Sequence, residues 1–544
     1  MRRNFNEKKL RRLTTTVFFG GLLLLGLLLT RDYGMCWDEP AERRAGYISL
    51  RYVAQRLAPS VLEAGHLANL PELATFSDAD HGVAFQLPMA VLEATFFRHD
   101  LRGAYWMRHF LCFTTFVLGA WAVYRLGRER FGSWRWGLAG AAILVLSPRI
   151  FGEAFYNYKD LVFMNLFALG AYTLTRLLRR PTAGRALTHA LVTAVAADVR
   201  IMGLLLPVLT VGFGGLEMWA RPVRRPAFTR ALALYAGAVV PLVILFWPYL
   251  WEAPVQRLWA NFRSFRYYRQ TLQLFYLGTM QGCQNLPWHY LSVWVLITTP
   301  VAYSVLFFAG AGSVLRAFFR RPWEELRRVA TRRDLLFGAW CVGPLVLIIL
   351  IRSVVYDGWR HVYFIYPAFV LLAVRGLWAG VQTWRAAPPA SATRRLGWVA
   401  GAALALGVAH TAVRQVADHP YQYTYFSFLP GSTVARLFER DYWGVSSLDG
   451  LAWIMAHDHS ASITVSDTVL LVGPVRNNAQ LLPLADQARL RFVSHAQARY
   501  YIGLYRWHPT PYDTTVYGSV VHEIRVGGLP ILTVFRRPGR DLRK

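Results

Sequence analysis

Asp38 and Glu39 stand together in the stretch Tyr33–Gly34–Met35–Cys36–Trp37–Asp38–Glu39–Pro40, eight residues past an apolar run from Thr14 to Thr30. A carboxylate at a water–lipid boundary can take a proton from a hydroxyl, and a nearby cation can receive the anion that departs. Polar groups at that depth are expensive to hold, so clusters of them tend to be functional. Two more stretches supply such groups. Asn157–Tyr158–Lys159–Asp160 closes a loop that starts at Ser147–Pro148–Arg149 and holds Glu153. Tyr356–Asp357–Gly358–Trp359–Arg360–His361 opens the apolar run Val362–Tyr363–Phe364–Ile365–Tyr366–Pro367. An arginine at a helix start adds its charge to exposed backbone N–H groups, a good phosphate cradle.

Each candidate has a plainer role. Asp38 suits a helix cap, with Pro40 in the first turn. Asp160 suits the cap of the next span, and Lys159 an interfacial cation reaching toward water. Composition favours function for Lys159: the lysines are Lys8, Lys9, Lys159 and Lys544, so only Lys159 lies away from the termini. Everywhere else in its interior the chain uses arginine, and a compact ammonium is not interchangeable with a guanidinium. Arg200 follows Asp198–Val199, and pairing with Asp198 is as good an account as contact with a ligand. His361 carries no preference by type alone, and His81, after Asp80, could touch substrate or metal, though a lone histidine more often does neither.

The elements that must position these residues are membrane spans. The chain has 544 residues, 55% hydrophobic and 15% aromatic, too apolar for a soluble enzyme of this length. A net charge of +29 raises nucleic acid as a partner, but its placement excludes it. Segments 1–13, 125–135, 176–185, 221–230, 316–334 and 375–395 hold 29 of the 60 Lys and Arg and 5 of the 31 Asp and Glu, which is +24 of the +29. Short turns so rich in cations lie on the cytosolic side. The spans between them are expected at about 14–30, 107–125, 136–151, 160–177, 186–199, 201–219, 230–250, 289–313, 335–352, 361–381 and 396–413, about eleven in all. The N-terminus is then cytoplasmic, the C-terminus outside, and Asp198–Val199–Arg200 a tight outer turn. His81–Phe97 is too short to span and carries Pro88 and Glu93, so it reads as an interfacial or re-entrant helix within a long first outer loop. The first run lacks a small-x-small cleavage site and is read as an uncleaved span.

From residue 414 the pattern turns to short β-rich runs: Ser462–Val465, Val469–Val472, Arg491–Val493, Tyr500–Tyr505, Val520–Val526 and Ile531–Phe535. The expected organisation is a transmembrane domain over 1–413 and a small outer α/β domain over 414–544. Cys36 and Cys283 fall on the outer side, where a bridge could form, while Cys112 and Cys341 lie inside spans.

A basic N-terminus, one span, and a long outer loop opening with Asp38–Glu39 resemble the GT-C superfamily of membrane glycosyltransferases. The next loop ending in Asp160, Pro287–Trp288–His289–Tyr290 before a span, and Arg360–His361 with Tyr366–Pro367 narrow this. They resemble the family-39-like branch that includes protein O-mannosyltransferases and lipid A aminoarabinose transferases. The resemblance covers about residues 1–385. It implies an integral plasma (inner) membrane enzyme that takes a sugar from a polyprenyl-phosphate donor in the outer leaflet, with inversion, and passes it to a lipid, glycan or protein acceptor. Carried over by position, Asp38 is the general base, Glu39 its helper and Asp160 the second acid. Lys159 and Arg360 hold the donor phosphate, with Arg200 and His361 as further candidates. His81–Gly82–Val83–Ala84–Phe85–Gln86–Leu87–Pro88 lacks the Pro-Pro or Lys-Pro often found there, so no phosphate ligand is assigned to it. No cofactor is expected, with a divalent cation on Asp38, Glu39 and Asp160 as the other option.

Two other classes compete. A transporter or flippase of a lipid-linked glycan would want charges near mid-bilayer and repeated halves, and the sequence has neither. A non-catalytic scaffold would leave Asp38 dispensable.

Overall fold

The computed structural model describes residues 2–60, 67, 69–266, 272–469, 473–506 and 508–537. Among them, nine helices are long and apolar enough to cross a membrane: Glu7–Leu29, Leu101–Phe131, Asp160–Arg179, Ile201–Ala220, Pro222–Phe246, Val301–Arg320, Val329–Ile351, Arg360–Ala386 and Ala392–Ala417. Two shorter helices, Trp134–Val145 and Ala183–Val199, lie between them at the places expected for spans. The chain is thus a polytopic helical bundle with about the expected number of passes.

The differences sit at prolines and polar turns. The span expected over 136–151 stops at Val145 and restarts as Pro148–Glu153. The span expected from 289 divides into Tyr290–Thr298 and Val301–Arg320 around Pro300. Proline has no N–H to continue the ladder and clashes with the preceding turn, so each break falls beside one. At the expected turn, Val199 ends its helix, Arg200 is extended at φ −149°, and a short turn of helix follows over Ile201–Leu204.

Close helix crossings depend on absent side chains. A Cβ on Gly310 would lie 1.9 Å from the carbonyl oxygen of Leu372, and one on Gly376 would lie 2.1 Å from that of Leu306. Small residues facing one another let two helices approach this closely where no water drives them together. The arginine-rich turns meet at one end of the bundle: Arg135 pairs with Glu7, Arg224 donates to the carbonyl of Arg179, and Arg333 donates to that of Glu129.

The loops carrying Asp38, Lys159, Arg200 and Arg360 meet at the other end. There the first long loop forms the helices Glu39–Leu57 and Gln86–Phe96, which pack on each other. A hairpin of β1 (Gln273–Tyr276) and β2 (Thr279–Gly282) lies in the loop before Pro287. After the last long helix comes a five-stranded sheet of β3 (Ile463–Asp467), β4 (Leu490–Phe492), β5 (Tyr500–Leu504), β6 (Ser519–Val526) and β7 (Leu529–Arg536), in the order β4-β3-β5-β7-β6. β3 runs parallel to β4 and β5, and the hairpin β6–β7 joins antiparallel to β5. These strands match the expected runs, except that 470–472 of the run Val469–Val472 lie outside the described residues. All four cysteines are buried and none is in a disulfide, so the Cys36–Cys283 bridge is not formed.

Candidate functional site

A cavity of about 480 Å3 opens where the loops converge. Asp38, Lys159, Arg200, Arg360 and His361 all line it, five of the seven residues proposed from sequence. They come from four separate stretches spread over more than three hundred residues, and the helix ends bring them together.

Asp38 holds the cap position of Glu39–Leu57, with Pro40 in the first turn, yet its side chain makes no cap hydrogen bond. Its Oδ2 instead accepts from Arg360 Nη1 at 2.8 Å, and the side chain stays 39% exposed. Burial pushes this carboxyl up, but Arg360, by charge and hydrogen bond, and then Lys159 and Arg506 outweigh it and hold the group below the ordinary aspartate range. Asp38 is therefore an ionised carboxylate at neutral pH.

Glu39 does not share the site. Its Oε1 lies 2.8 Å from His109 Nε2, its Oε2 accepts from the Cys36 N–H at 2.6 Å, and it is 1% exposed. Neighbouring helical residues point about 100° apart, and Glu39 turns away from the cavity that Asp38 lines. The face that does is Asp38, Ala41 and Glu42, at spacings of three and four. Glu39, expected as a helper to Asp38, thus lies outside the cavity, and Glu42 lines it instead, accepting from Lys159 Nζ at 3.2 Å.

Asp160 lies behind the cavity wall, 1% exposed. Its backbone N–H donates to Asn157 Oδ1 at 2.8 Å, so Asn157 supplies the cap expected of the aspartate. The carboxylate accepts from Arg200 Nη2 through Oδ1 and from Arg360 Nη1 at 3.4 Å through Oδ2. Both of its oxygens are thus engaged by arginines that line the cavity. Arg200 thus pairs with Asp160 and not with Asp198. Asp198 Oδ1 accepts from the Ala84 N–H at 3.0 Å, an approach that Gly82 permits, since a Cβ there would fall 1.6 Å from the Asp198 carbonyl oxygen.

Arg360 touches three carboxylates: Asp38, Asp160 and, through Nη2 at 3.1 Å, Asp357. The turn that places Asp357 is tight, with φ of 56° there and 69° at Gly358. The Pro287–Trp288–His289–Tyr290 stretch serves this turn, because Tyr290 Oη accepts from the Gly358 N–H at 3.0 Å. Trp359 Nε1 donates to Thr298 Oγ1 at 2.8 Å. His361 packs edge-on against Tyr356, with ring centres 4.5 Å apart. His81 also lines the cavity, and Lys159 and burial hold its imidazole neutral by pushing it down to about 3.

Sequence reasoning missed Glu42, Asp357 and Arg506, all of which line the cavity. Helical spacing from Asp38 could have found Glu42. Asp357–Gly358 is a turn signal inside a stretch already singled out. Asp38, Glu39 and Asp160 do not converge as metal ligands, and among the described residues no group of three or more His, Cys, Asp or Glu is arranged to hold a metal ion. Apolar walls come from Trp37, Met202, Trp247, Leu272, Ile348 and Val354.

No protein-family model matches the chain, and no curated protein matches it. Two solved structures are similar along nearly the whole length. One is ArnT from Cupriavidus metallidurans bound to undecaprenyl phosphate, 14% identical, with a TM-score of 0.44 over 96% of this chain and 98% of that one. The other is the same protein in the apo state, 15% identical, with a TM-score of 0.47 over 96% and 98%. Both identities are far below the range in which residue roles transfer.

Proposed function

We propose that the chain is a membrane glycosyltransferase that moves a sugar from a polyprenyl-phosphate donor to an acceptor hydroxyl. The observation that carries this reading is the convergence of an ionised Asp38 with Lys159, Arg200 and Arg360 on one cavity at the end of the bundle. Asp38 takes the proton of the acceptor hydroxyl. The hydroxyl oxygen forms a bond to the anomeric carbon, and the bond from that carbon to the phosphate oxygen breaks. The phosphate keeps the electron pair and leaves as a polyprenyl phosphate anion. Attack opposite the leaving group inverts the anomeric centre. Lys159 holds the donor phosphate, and Arg200 and Arg360 stabilise the developing negative charge in a site partly shielded from water. His361 borders the donor phosphate. Asp160 acts through the arginines it holds. The apolar wall suits the isoprenoid stem.

In this reading the N-terminus is cytoplasmic and the cavity and C-terminus face outward. Residues 1–413 form the catalytic domain and 414–544 an outer one. A charged cluster at a bundle end suits a reaction at the surface better than a path across the bilayer.

The test is transfer of a labelled sugar from a synthetic polyprenyl-phosphate donor by the chain in liposomes with a membrane extract as acceptor. Mass spectrometry of glycolipids and glycoproteins from cells with and without the chain runs beside it. A labelled product that requires the chain is expected. No label transfer, together with identical glycolipids and glycoproteins, would overturn the reading.

A further inference from the structure

We propose that Arg506 is a positioning residue: anchored on Asp357, it holds the Arg360 guanidinium against Asp38, so that the sheet unit after the last long helix completes the cavity. The inference rests on the transferase reading for its meaning, though not for its test.

Arg506 follows β5, 149 residues from Asp357 in the chain. It is 7% exposed and lines the cavity. Its Nη2 donates to Asp357 Oδ1 at 2.5 Å, and its Nη1 donates to the carbonyl of Tyr442 at 3.1 Å. The guanidinium lies 5.8 Å from the centre of the Trp37 ring, one residue before Asp38. The other oxygen of Asp357 lies 3.1 Å from Arg360 Nη2, while Arg360 Nη1 lies 2.8 Å from Asp38 Oδ2. Charges alternate along this row, from Arg506 through Asp357 and Arg360 to Asp38, and each oxygen of Asp357 serves a different arginine.

A non-glycine residue at positive φ is strained and persists only where its surroundings over-determine it. Here the surroundings are the two arginines and the Tyr290 hydroxyl beneath Gly358. Without Arg506 the whole charge of Asp357 falls on Arg360. That draws the guanidinium from Asp38 and takes a positive field off the base. Other groups facing Asp38 are Lys159 with its partner Glu42, His81 and the Cys36 thiol, and Glu439 and Tyr356 stand near Asp357 and Arg360. Arg506 itself contributes to holding the Asp38 carboxyl low.

The test follows the infrared carboxyl band that Asp38→Asn removes, titrated in detergent-purified protein. In Arg506→Gln its midpoint should rise by about half a pH unit, a threefold change in the proton equilibrium. In Arg506→Lys it should stay near the parent value. Arg506→Met, which keeps the stem volume, gives the neutral case if the glutamine variant does not fold. The acid limb of kcat/KM for transfer should move with the band. An unchanged midpoint in a folded neutral variant overturns the proposal and leaves Arg506 a mere clamp between the sheet and the bundle. The band needs no turnover, so a chain without transfer activity would contradict the transferase reading while leaving the midpoint to decide this one.

Discussion

The two ends of the bundle both bury arginines against carboxylates, and they do so in opposite ways. At the arginine-rich end, Asp334 takes both arms of Arg130 at 2.5 Å and a further contact from Arg375 at 3.3 Å. Glu217 takes a fork from Arg332 at 2.8 and 3.1 Å, and Arg221 approaches at 3.3 Å. The hollow beside Glu217 measures about 30 Å3. At the other end Arg360 is divided among three carboxylates, Asp38 offers it one oxygen, and about 480 Å3 of cavity lies alongside. Closed bidentate pairs fix helices, because their hydrogen-bonding capacity is used up. A divided arginine beside a half-open carboxylate keeps capacity for a ligand. The same residue types thus hold a bundle together at one end and leave a part-exposed carboxylate beside a cavity at the other.

The sharpest way to break this contrast is to remove one member at each end. Arg360→Gln leaves Asp38, Asp160 and Asp357 without the cation they share. It should lower stability by about 3–5 kcal/mol, as removing one partner of a buried pair does, and abolish transfer by whatever remains folded. Asp334→Asn should lower stability by a similar ~3–5 kcal/mol, yet leave the rate per folded molecule unchanged. Thermal unfolding in detergent together with transfer rates normalised to folded protein checks both. Equal loss of specific activity at the two ends would erase the distinction.

A smaller effect separates binding from chemistry. Lys159 is only partly buried, at 19% exposure, and its pair with Glu42 contributes little to stability. Lys159→Ala should raise the KM for the donor about tenfold, the worth of one charge-assisted contact, with kcat nearly unchanged. Initial rates against donor concentration decide this.

The smallest effect is in pH. In the proposed reaction Asp38 works deprotonated, and its folded-state pKa lies below the ordinary aspartate value. The kcat/KM should therefore stay flat as pH falls toward about 4 and drop only below it. Lys159→Ala removes a cation that lowers this group, so the acid limb should move up. The stability linked to ionised Asp38 has the same sign: it is present above the unfolded-state pKa and lost as pH falls through the folded one. A pH–rate profile with a matched thermal melt at each pH measures both.

Much of the positioning was legible in the chain. Cation-rich turns and apolar runs located the passes, and the loops between them predicted which residues share an end. Lys159 stood out because arginine is used almost everywhere else, and it does line the cavity. What the chain did not reveal was direction. Asp38 and Glu39 look alike in sequence, but helix geometry turns one to the cavity and the other to His109. Asp160 read as an acid at the reaction centre, whereas its carboxylate is turned onto two arginines. Arg506 carried no signal, because it is one arginine among many in a β-rich segment and its partner lies 149 residues away.

The most direct test of the central claim is Asp38→Asn assayed with a labelled polyprenyl-phosphate sugar, with donor binding measured on the same preparation. The variant should bind the donor and melt near the parent temperature, but transfer sugar about 10²–10⁴-fold more slowly, the range for losing a general base. Transfer at close to the parent rate would contradict Asp38 as the base and, with it, the reading of the cavity as a transferase site.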